Sequence, residues 1–161
     1  MQLGALFDWD GVVIDSSKQH EESWELLAAE IGKPLPDDHF LRGFGMKNQV
    51  IIPRILGWSG DPDEIHRYSL RKEELYREIV RERGIEPLPG VVALLQMLQE
   101  HRVPCAVASS THRENIETIF DAIGVRAYFA AVVTAEDVAH GKPDPEVFLQ
   151  GAEKIGRNPR H

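Results

Sequence analysis

The sequence predicts an α/β fold in which a parallel sheet is interrupted, after its first strand, by an all-helical insertion. Three observations indicate this fold. Short apolar runs at 2–7, 103–108 and 129–134 alternate with longer segments of helical periodicity. The region from about 16 to 87 contains no strand-like run. Polar side chains directly follow the first two apolar runs and lie in the loop after the third.

The first strand and first helix are marked by their ends. The strand at 2–7 ends at Asp8, where the apolar run gives way to acids. From Ser16 to about Ile31, apolar residues recur with a helical period while charged residues lie largely off that stripe. Gly32 and Pro34 then end the helix.

The rest of the insertion is also predicted to be helical. Glycines and prolines divide residues 36–59 into short helices. A longer, charge-rich helix is expected from about Asp61 to Arg83. The insertion therefore covers residues 16–87.

From the segment PLPG onward, strands and helices alternate. The order is an amphipathic helix (VVALLQMLQEH), the strand at 103–108, a helix at 112–123, the strand at 129–134, and a final helix at 145–155. Crossovers of this length are right-handed and produce a parallel sheet. Residues 1–15 and 88–161 are thus predicted to form one discontinuous α/β domain.

Composition excludes several classes of protein. The chain has 161 residues, 42% of them hydrophobic, and a net charge of −8 with acids and bases interspersed, which argues against a sequence-independent nucleic-acid binder. No apolar stretch is long enough to span a membrane, and no secretory leader is visible, so a soluble protein is expected. The single cysteine, Cys105, is predicted to be a small buried hydrophobe, which suits a reducing cytoplasm. The oligomeric state stays open.

Side chains suited to phosphate chemistry follow the strands. Ligands of open parallel sheets bind outside the carboxyl ends of the strands. At those ends the sequence places Asp8 and Asp10, the hydroxyl cluster Ser109–Thr111, and Lys142. We therefore expect Asp8, Asp10, Ser109 and Lys142 to converge.

These residue types match the requirements of phosphoryl transfer. A carboxylate can attack phosphorus, and Asp8 is the predicted nucleophile. Asp10 is the predicted general acid and base, with Gly11 allowing the chain to turn sharply. Lys142 would offset the phosphate charge, while Ser109 and backbone N–H groups at the start of the 112–123 helix would donate hydrogen bonds. Oxygen ligands from Asp8 and Asp10 suit Mg²⁺.

Three motifs together resemble those of the haloacid dehalogenase superfamily of phosphotransferases. They are FDWDGVVIDS, VPCAVAS and GKPDPEVF, in that order along the chain. The resemblance implies a Rossmann-like three-layer core with a small helical cap inserted after the first strand. It also implies a magnesium-dependent enzyme that forms an aspartyl-phosphate on Asp8 and acts on a small phosphorylated metabolite.

The segment DSSKQHEESW further resembles the β-phosphoglucomutase-like group. In that group the histidine, here His20, supports the general acid/base when the cap closes. The resemblance also implies that four other residues contact the substrate: Trp24, Gly43, Lys72 and Ser110.

Two departures qualify this resemblance. Mutases place an arginine after the cap-loop glycine, whereas this chain has Met46 there, so a sugar-phosphate phosphatase is as well supported as a mutase. The fourth motif, which supplies further acids to the magnesium site, is missing after Lys142. The chain is therefore expected to be part of a longer enzyme and to turn over slowly by itself. Two alternatives remain: a non-catalytic binding fragment and a phosphoacceptor receiver domain.

Overall fold

A three-stranded parallel sheet forms the centre of the fold. The computed structural model describes residues 3–44 and 46–159. Strands β1 (Ala5–Phe7), β2 (Cys105–Ala108) and β3 (Phe129–Val133) lie in the order β1-β2-β3 and are all parallel. The α/β fold class and the parallel sheet are therefore confirmed.

The strands are shorter than the apolar runs that predict them. β1 begins at Ala5, and the predicted start at Gln2 lies outside the described residues. β2 begins at Cys105, which is 2% exposed, as expected for a small buried hydrophobe. All four residues of β2 are buried, because the strand lies between two others and the last helix of the chain packs on it.

Three helices accompany the sheet: α5 (Val91–Glu100), α6 (Arg113–Ile123) and α7 (Glu146–Lys154). α7 packs closely on the sheet through Gly151. A Cβ atom at this glycine would lie 3.3 Å from the Leu6 side chain, so a larger residue would require that side chain to shift by a few tenths of an ångström. Two single 3₁₀ turns, at Arg126–Tyr128 and Ala135–Asp137, flank β3.

Aromatic packing fixes the end of β1. Trp9 follows the strand and is fully buried, with its ring edge-on to Phe120 at 5.1 Å and to Phe129 at 6.2 Å. Edge-to-face pairs at these distances add to the burial of apolar area. The acids on either side of Trp9 are thus attached to a rigid part of the core.

Residues Ser17–Arg83 form a second compact group, which we call the helical unit. Its elements are α1 (Ser17–Ile31), α2 (His39–Gly43), α3 (Asn48–Val50), a π-helical turn (Ile51–Ile55) and α4 (Pro62–Arg83). The apolar stripe of α1 packs with α4 in one core that includes Trp24, Leu27, Trp58, Tyr68 and Leu75. The predicted absence of strands from this region agrees with the described residues.

The residues up to Ser16 and from Gly84 onward form the other group, the sheet unit. Its limits lie within a few residues of the predicted domain limits. An isolated bridge between Ile14 and Pro87 joins the two segments of the sheet unit near the point where the chain leaves and returns. No described helix has the length and apolar character needed to cross a bilayer.

Candidate active site

Asp8 and Lys142 form an ion pair at the carboxyl end of β1. Lys142 Nζ lies 2.6 Å from Asp8 Oδ1, and the backbone N–H of Trp9 donates to the same oxygen at 2.8 Å. The Asp8 side chain is 41% exposed, so the carboxylate remains accessible from solvent. A lysine from the loop after β3 is thus brought to the acid after β1, as the parallel topology predicts.

A tight turn reverses the chain immediately after Asp10. Gly11 has φ 77°, a value that glycine adopts without steric penalty, and its N–H donates to the carbonyl of Ile14 at 2.7 Å. The Val13 N–H donates back to Trp9 at 2.9 Å. The sharp departure predicted for Gly11 is therefore confirmed.

Asp10 is held through both carboxylate oxygens. Ser16 Oγ donates to Oδ1 at 2.6 Å, and Thr111 Oγ1 donates to Oδ2. Charge-assisted hydrogen bonds of this kind fix the orientation of a carboxylate. Asp8 meets a cation while Asp10 meets two hydroxyls, so the two acids have different electrostatic surroundings.

Ser109 follows β2 and is buried. Its backbone N–H donates to the Val133 carbonyl at 3.0 Å, and its Oγ accepts the Thr111 N–H at 3.0 Å. Thr111 therefore links Ser109 to Asp10 through its backbone and side chain. Ser110, between them in sequence, is exposed.

One of the predicted phosphate donors already has a partner within the protein. The Arg113 N–H at the start of α6 points to the carboxylate of Glu136, at 3.3 Å from Oε1 and 3.4 Å from Oε2. His112 Nδ1 also contacts Glu136, at 3.0 Å. An acid from the turn after β3 thus already accepts this N–H, in keeping with the preference of helix N-termini for negative charge. The Arg113 N–H is therefore not a free donor for phosphate.

The residues present fit magnesium in kind. Both described contacts of Asp8 involve Oδ1, and oxygen ligands with retained waters suit Mg²⁺. Both Asp10 side-chain oxygens accept hydroxyls, so this residue would contribute through its backbone carbonyl. Among residues 3–44 and 46–159, no three His, Cys, Asp or Glu side chains are grouped closely enough to hold a metal ion.

Within the helical unit, His20 lies in a polar cluster. Lys72 Nζ lies 2.7 Å from His20 Nδ1 and 3.1 Å from Glu73 Oε1, and Tyr76 stacks on the imidazole with ring centroids 4.0 Å apart. Because an ammonium can only donate, Nδ1 of His20 accepts and the ring proton lies on Nε2. His20 thus offers one N–H donor.

The pKa of His20 is lowered from 6.5 to about 3. Burial of the ring is the main cause, because it disfavours the charged form, and the positive charge of Lys72 acts in the same direction. The negative charge of Glu73 opposes the shift but does not cancel it. His20 is therefore neutral at physiological pH.

The other residues predicted to contact substrate have clear places in the helical unit. Trp24 is 4% exposed within the apolar core, and Lys72 lies 5.5 Å from its ring centroid. Gly43 is buried, and a Cβ there would meet the Ile51 side chain at 3.2 Å. Gly45, which is also predicted to interrupt the short helices, lies outside the described residues. The predicted substrate contacts of His20, Trp24, Gly43 and Lys72 stay predictions.

Sequence reasoning missed two hydroxyl partners of Asp10. Thr111 was recognised only as a member of the hydroxyl cluster, and Ser16 only as the start of a helix. The signal for Thr111 is its place two residues after Ser109 at a strand end. Nothing in the local sequence distinguishes the Ser16 hydroxyl from an ordinary helix-capping group.

Comparisons with known proteins identify relatives of the same type. A profile of the haloacid dehalogenase-like hydrolase family matches residues 4–161. The chain is 39% identical over 156 residues to an Arabidopsis thaliana protein named 5-amino-6-(5-phospho-D-ribitylamino)uracil phosphatase, chloroplastic. It is 29% identical over 160 residues to a Bacillus subtilis β-phosphoglucomutase. A crystal structure of a Clostridium difficile β-phosphoglucomutase superposes with a TM-score of 0.80 at 25% identity.

These matches cover nearly all of this chain but only part of each relative. The chain spans 41% of the Arabidopsis protein, 70% of the Bacillus protein and 74% of the Clostridium chain, while 95%, 96% and 99% of its own length is matched. The resemblance noted from the three motifs is confirmed, and these named relatives are phosphatases or phosphomutases. The chain belongs to the haloacid dehalogenase-like hydrolase family.

Proposed function

We propose that the protein is a phosphatase that forms a covalent aspartyl-phosphate on Asp8 and acts on a small phosphorylated metabolite such as a sugar phosphate. The observation that carries this proposal is the unequal pair of acids. Asp8 faces the Lys142 ammonium, whereas Asp10 is held by two hydroxyls. Paired acids in different surroundings are typical of a division between nucleophile and acid/base.

In the first step, a carboxylate oxygen of Asp8 attacks phosphorus and the bond to the leaving oxygen breaks. A protonated Asp10 gives its proton to that oxygen, which departs as an alcohol. Lys142 offsets the negative charge of the phosphoryl oxygens. In the second step, water attacks the aspartyl-phosphate while Asp10 takes its proton, which releases phosphate and restores Asp8.

Magnesium is the proposed cofactor, held by a carboxylate oxygen of Asp8 and the backbone carbonyl of Asp10. When bound, it would neutralise phosphoryl charge that otherwise repels the Asp8 carboxylate. The other ligands would be waters, substrate oxygens and the further acids that the fourth motif supplies in the family.

The helical unit is the proposed substrate-selecting domain, through His20, Trp24, Gly43 and Lys72. Phosphatase activity is at least as well supported as mutase activity, because Met46, which is 48% exposed, has no charge with which to hold a second phosphate, although the exposed Lys47 lies beside it. A reducing compartment such as the cytoplasm remains the proposed location, since Cys105 is the sequence's only cysteine.

The proposal is tested on the full-length protein with a panel of phosphate esters, including sugar monophosphates, with and without Mg²⁺. Asp8→Asn should lower phosphate release by about a thousandfold or more, because an amide is a poor nucleophile. Asp121→Asn, which changes an exposed acid on α6, is the matched control and should retain full activity.

Acid-quenched reactions with ³²P-labelled substrate provide a second readout. The wild-type protein should carry a hydroxylamine-sensitive label that Asp8→Asn lacks, because acyl phosphates react with hydroxylamine. Equal turnover in Asp8→Asn and wild type would refute the nucleophile. Absence of both turnover and label would instead support the non-catalytic alternative, and isomerised phosphosugar without net release would support a mutase.

A further inference from the structure

The loop that carries Lys142 is irregular, yet it places the lysine side chain at a defined position beside Asp8. Residues 138–145 contain no helix or strand, yet Lys142 Nζ is placed 2.6 Å from Asp8 Oδ1. A lysine side chain has many rotamers, and a loop adds backbone freedom, so both must be restricted for this contact to persist. The restriction has to come from groups that hold the loop.

Glu146, the first residue of α7, binds the start of this loop. Its carboxylate accepts the backbone N–H groups of Ala139 at 3.0 Å and His140 at 2.9 Å. His140 Nδ1 lies 3.2 Å from Oε2, and Gln150 Nε2 donates to Oε1 at 3.1 Å. One side chain at the end of the loop therefore gathers donors from its beginning.

These bonds close the loop around Lys142. Ala139 and His140 precede the lysine by three and two residues, whereas Glu146 follows it by four. The Glu146 N–H also donates to Asp144 Oδ1 at 2.9 Å, which fixes the last turn before α7. The loop is thus fastened on both sides of Lys142.

Two further observations agree with this arrangement. The backbone N–H groups of Ala139 and His140 lower the pKa of Glu146 below its usual value, so the ionised form that accepts these bonds predominates at neutral pH. On the first turn of the same helix, Phe148 places its ring centroid 5.1 Å from Lys142 Nζ. α7 therefore fixes the loop through Glu146 and also contacts the ammonium through Phe148.

We propose that Glu146 is a positioning residue, which acts through the 138–145 loop to hold the Lys142 ammonium beside Asp8. The effect of Glu146 on turnover rests on the proposed phosphatase function. The effect of Glu146 on the position of Lys142 is independent of that function, and the two effects are tested separately.

The geometric test is NMR of the lysine side chains in ¹³C-labelled full-length protein. Lys142 is assigned from the resonance that Lys142→Arg removes. In the wild type, the Phe148 ring should shift the Lys142 Hε protons away from the values of the other lysines. Glu146→Ala should abolish most of that shift, and Glu146→Gln, which keeps an acceptor oxygen, should have an intermediate effect.

Glu153→Ala is the matched control because Glu153 lies exposed on the same helix. It should leave the Lys142 resonance unchanged. Circular dichroism and thermal melting of each variant separate a local change from unfolding, and Glu146→Gln serves if Glu146→Ala does not fold. An unchanged Lys142 resonance in a folded Glu146 variant would overturn the proposal.

The catalytic test is a double-mutant cycle with Lys142→Ala. Glu146→Ala should lower kcat by about tenfold in the wild-type background and have almost no effect once Lys142 is alanine, because contacts that act as a unit are not additive. Full additivity would overturn the positioning role. If Glu146→Ala displaces Lys142 but the wild-type protein releases no phosphate, the proposed function is contradicted and the positioning role is not.

Discussion

The depressed pKa of His20 predicts a measurable dependence of stability on pH. In the folded chain the pKa is about 3, whereas an unfolded histidine titrates near 6.5. The unfolded state therefore takes up a proton first as the pH falls. The contribution of His20 to the free energy of unfolding is fully present above about pH 6.5. It is lost progressively as the pH falls toward the folded pKa of about 3.

The magnitude follows from the linkage relation. Between about pH 6.5 and pH 5, each pH unit corresponds to about 1.4 kcal/mol per proton, so the free energy of unfolding should fall by roughly 2 kcal/mol. This figure depends little on the exact folded pKa, because the folded histidine stays neutral throughout that interval. Burial beside Lys72 is the physical cause, since a second positive charge there would face the ammonium at 2.7 Å.

Urea denaturation followed by circular dichroism at several pH values is the appropriate assay. His20→Gln keeps an acceptor for Lys72 but cannot be protonated, so its unfolding free energy should lack the His20 contribution to the pH slope. His101→Gln, at an exposed position beyond α5, is the control and should retain that contribution. Identical slopes in wild type and His20→Gln would refute the reasoning.

Two other predictions concern single contacts. Thr111→Val should lower kcat/KM for a phosphate ester by about tenfold or more, because a hydrogen bond to a charged carboxylate contributes roughly 1.5–3 kcal/mol; unchanged kinetics would show that Ser16 alone orients Asp10. Arg102→Gly should raise the urea midpoint by an amount equivalent to about 1 kcal/mol, because Arg102 has φ 56° in the turn that ends α5, where glycine is favoured. A lower midpoint would contradict the second prediction.

Periodicity and strand order made the fold accessible from the sequence. β2 is a short run without polar residues, and a strand buried on both faces has this appearance. Because parallel strands end at the same edge, the pairing of Asp8 with Lys142 followed from topology alone. Sequence separation did not matter, since the sheet brings distant strand ends together.

The contacts that the sequence did not reveal depend on side-chain choice rather than topology. Glu136 could have pointed to solvent or to a ligand, but its carboxylate meets the Arg113 N–H. Ser16 could have capped α1, yet its hydroxyl donates to Asp10. Short polar side chains near a helix start have several partners of similar energy, and only the packed neighbours decide between them.

The backbone after β1 explains why two acids separated by one residue have different surroundings. Asp8 still follows the direction of the strand and so lies at the edge of the sheet, where Lys142 can reach it. Gly11 reverses the chain and returns Ser16 to Asp10, so that a residue six positions later holds the second acid. A glycine-dependent turn therefore produces the unequal pair, because a side chain at position 11 would disfavour the positive φ on which that return depends.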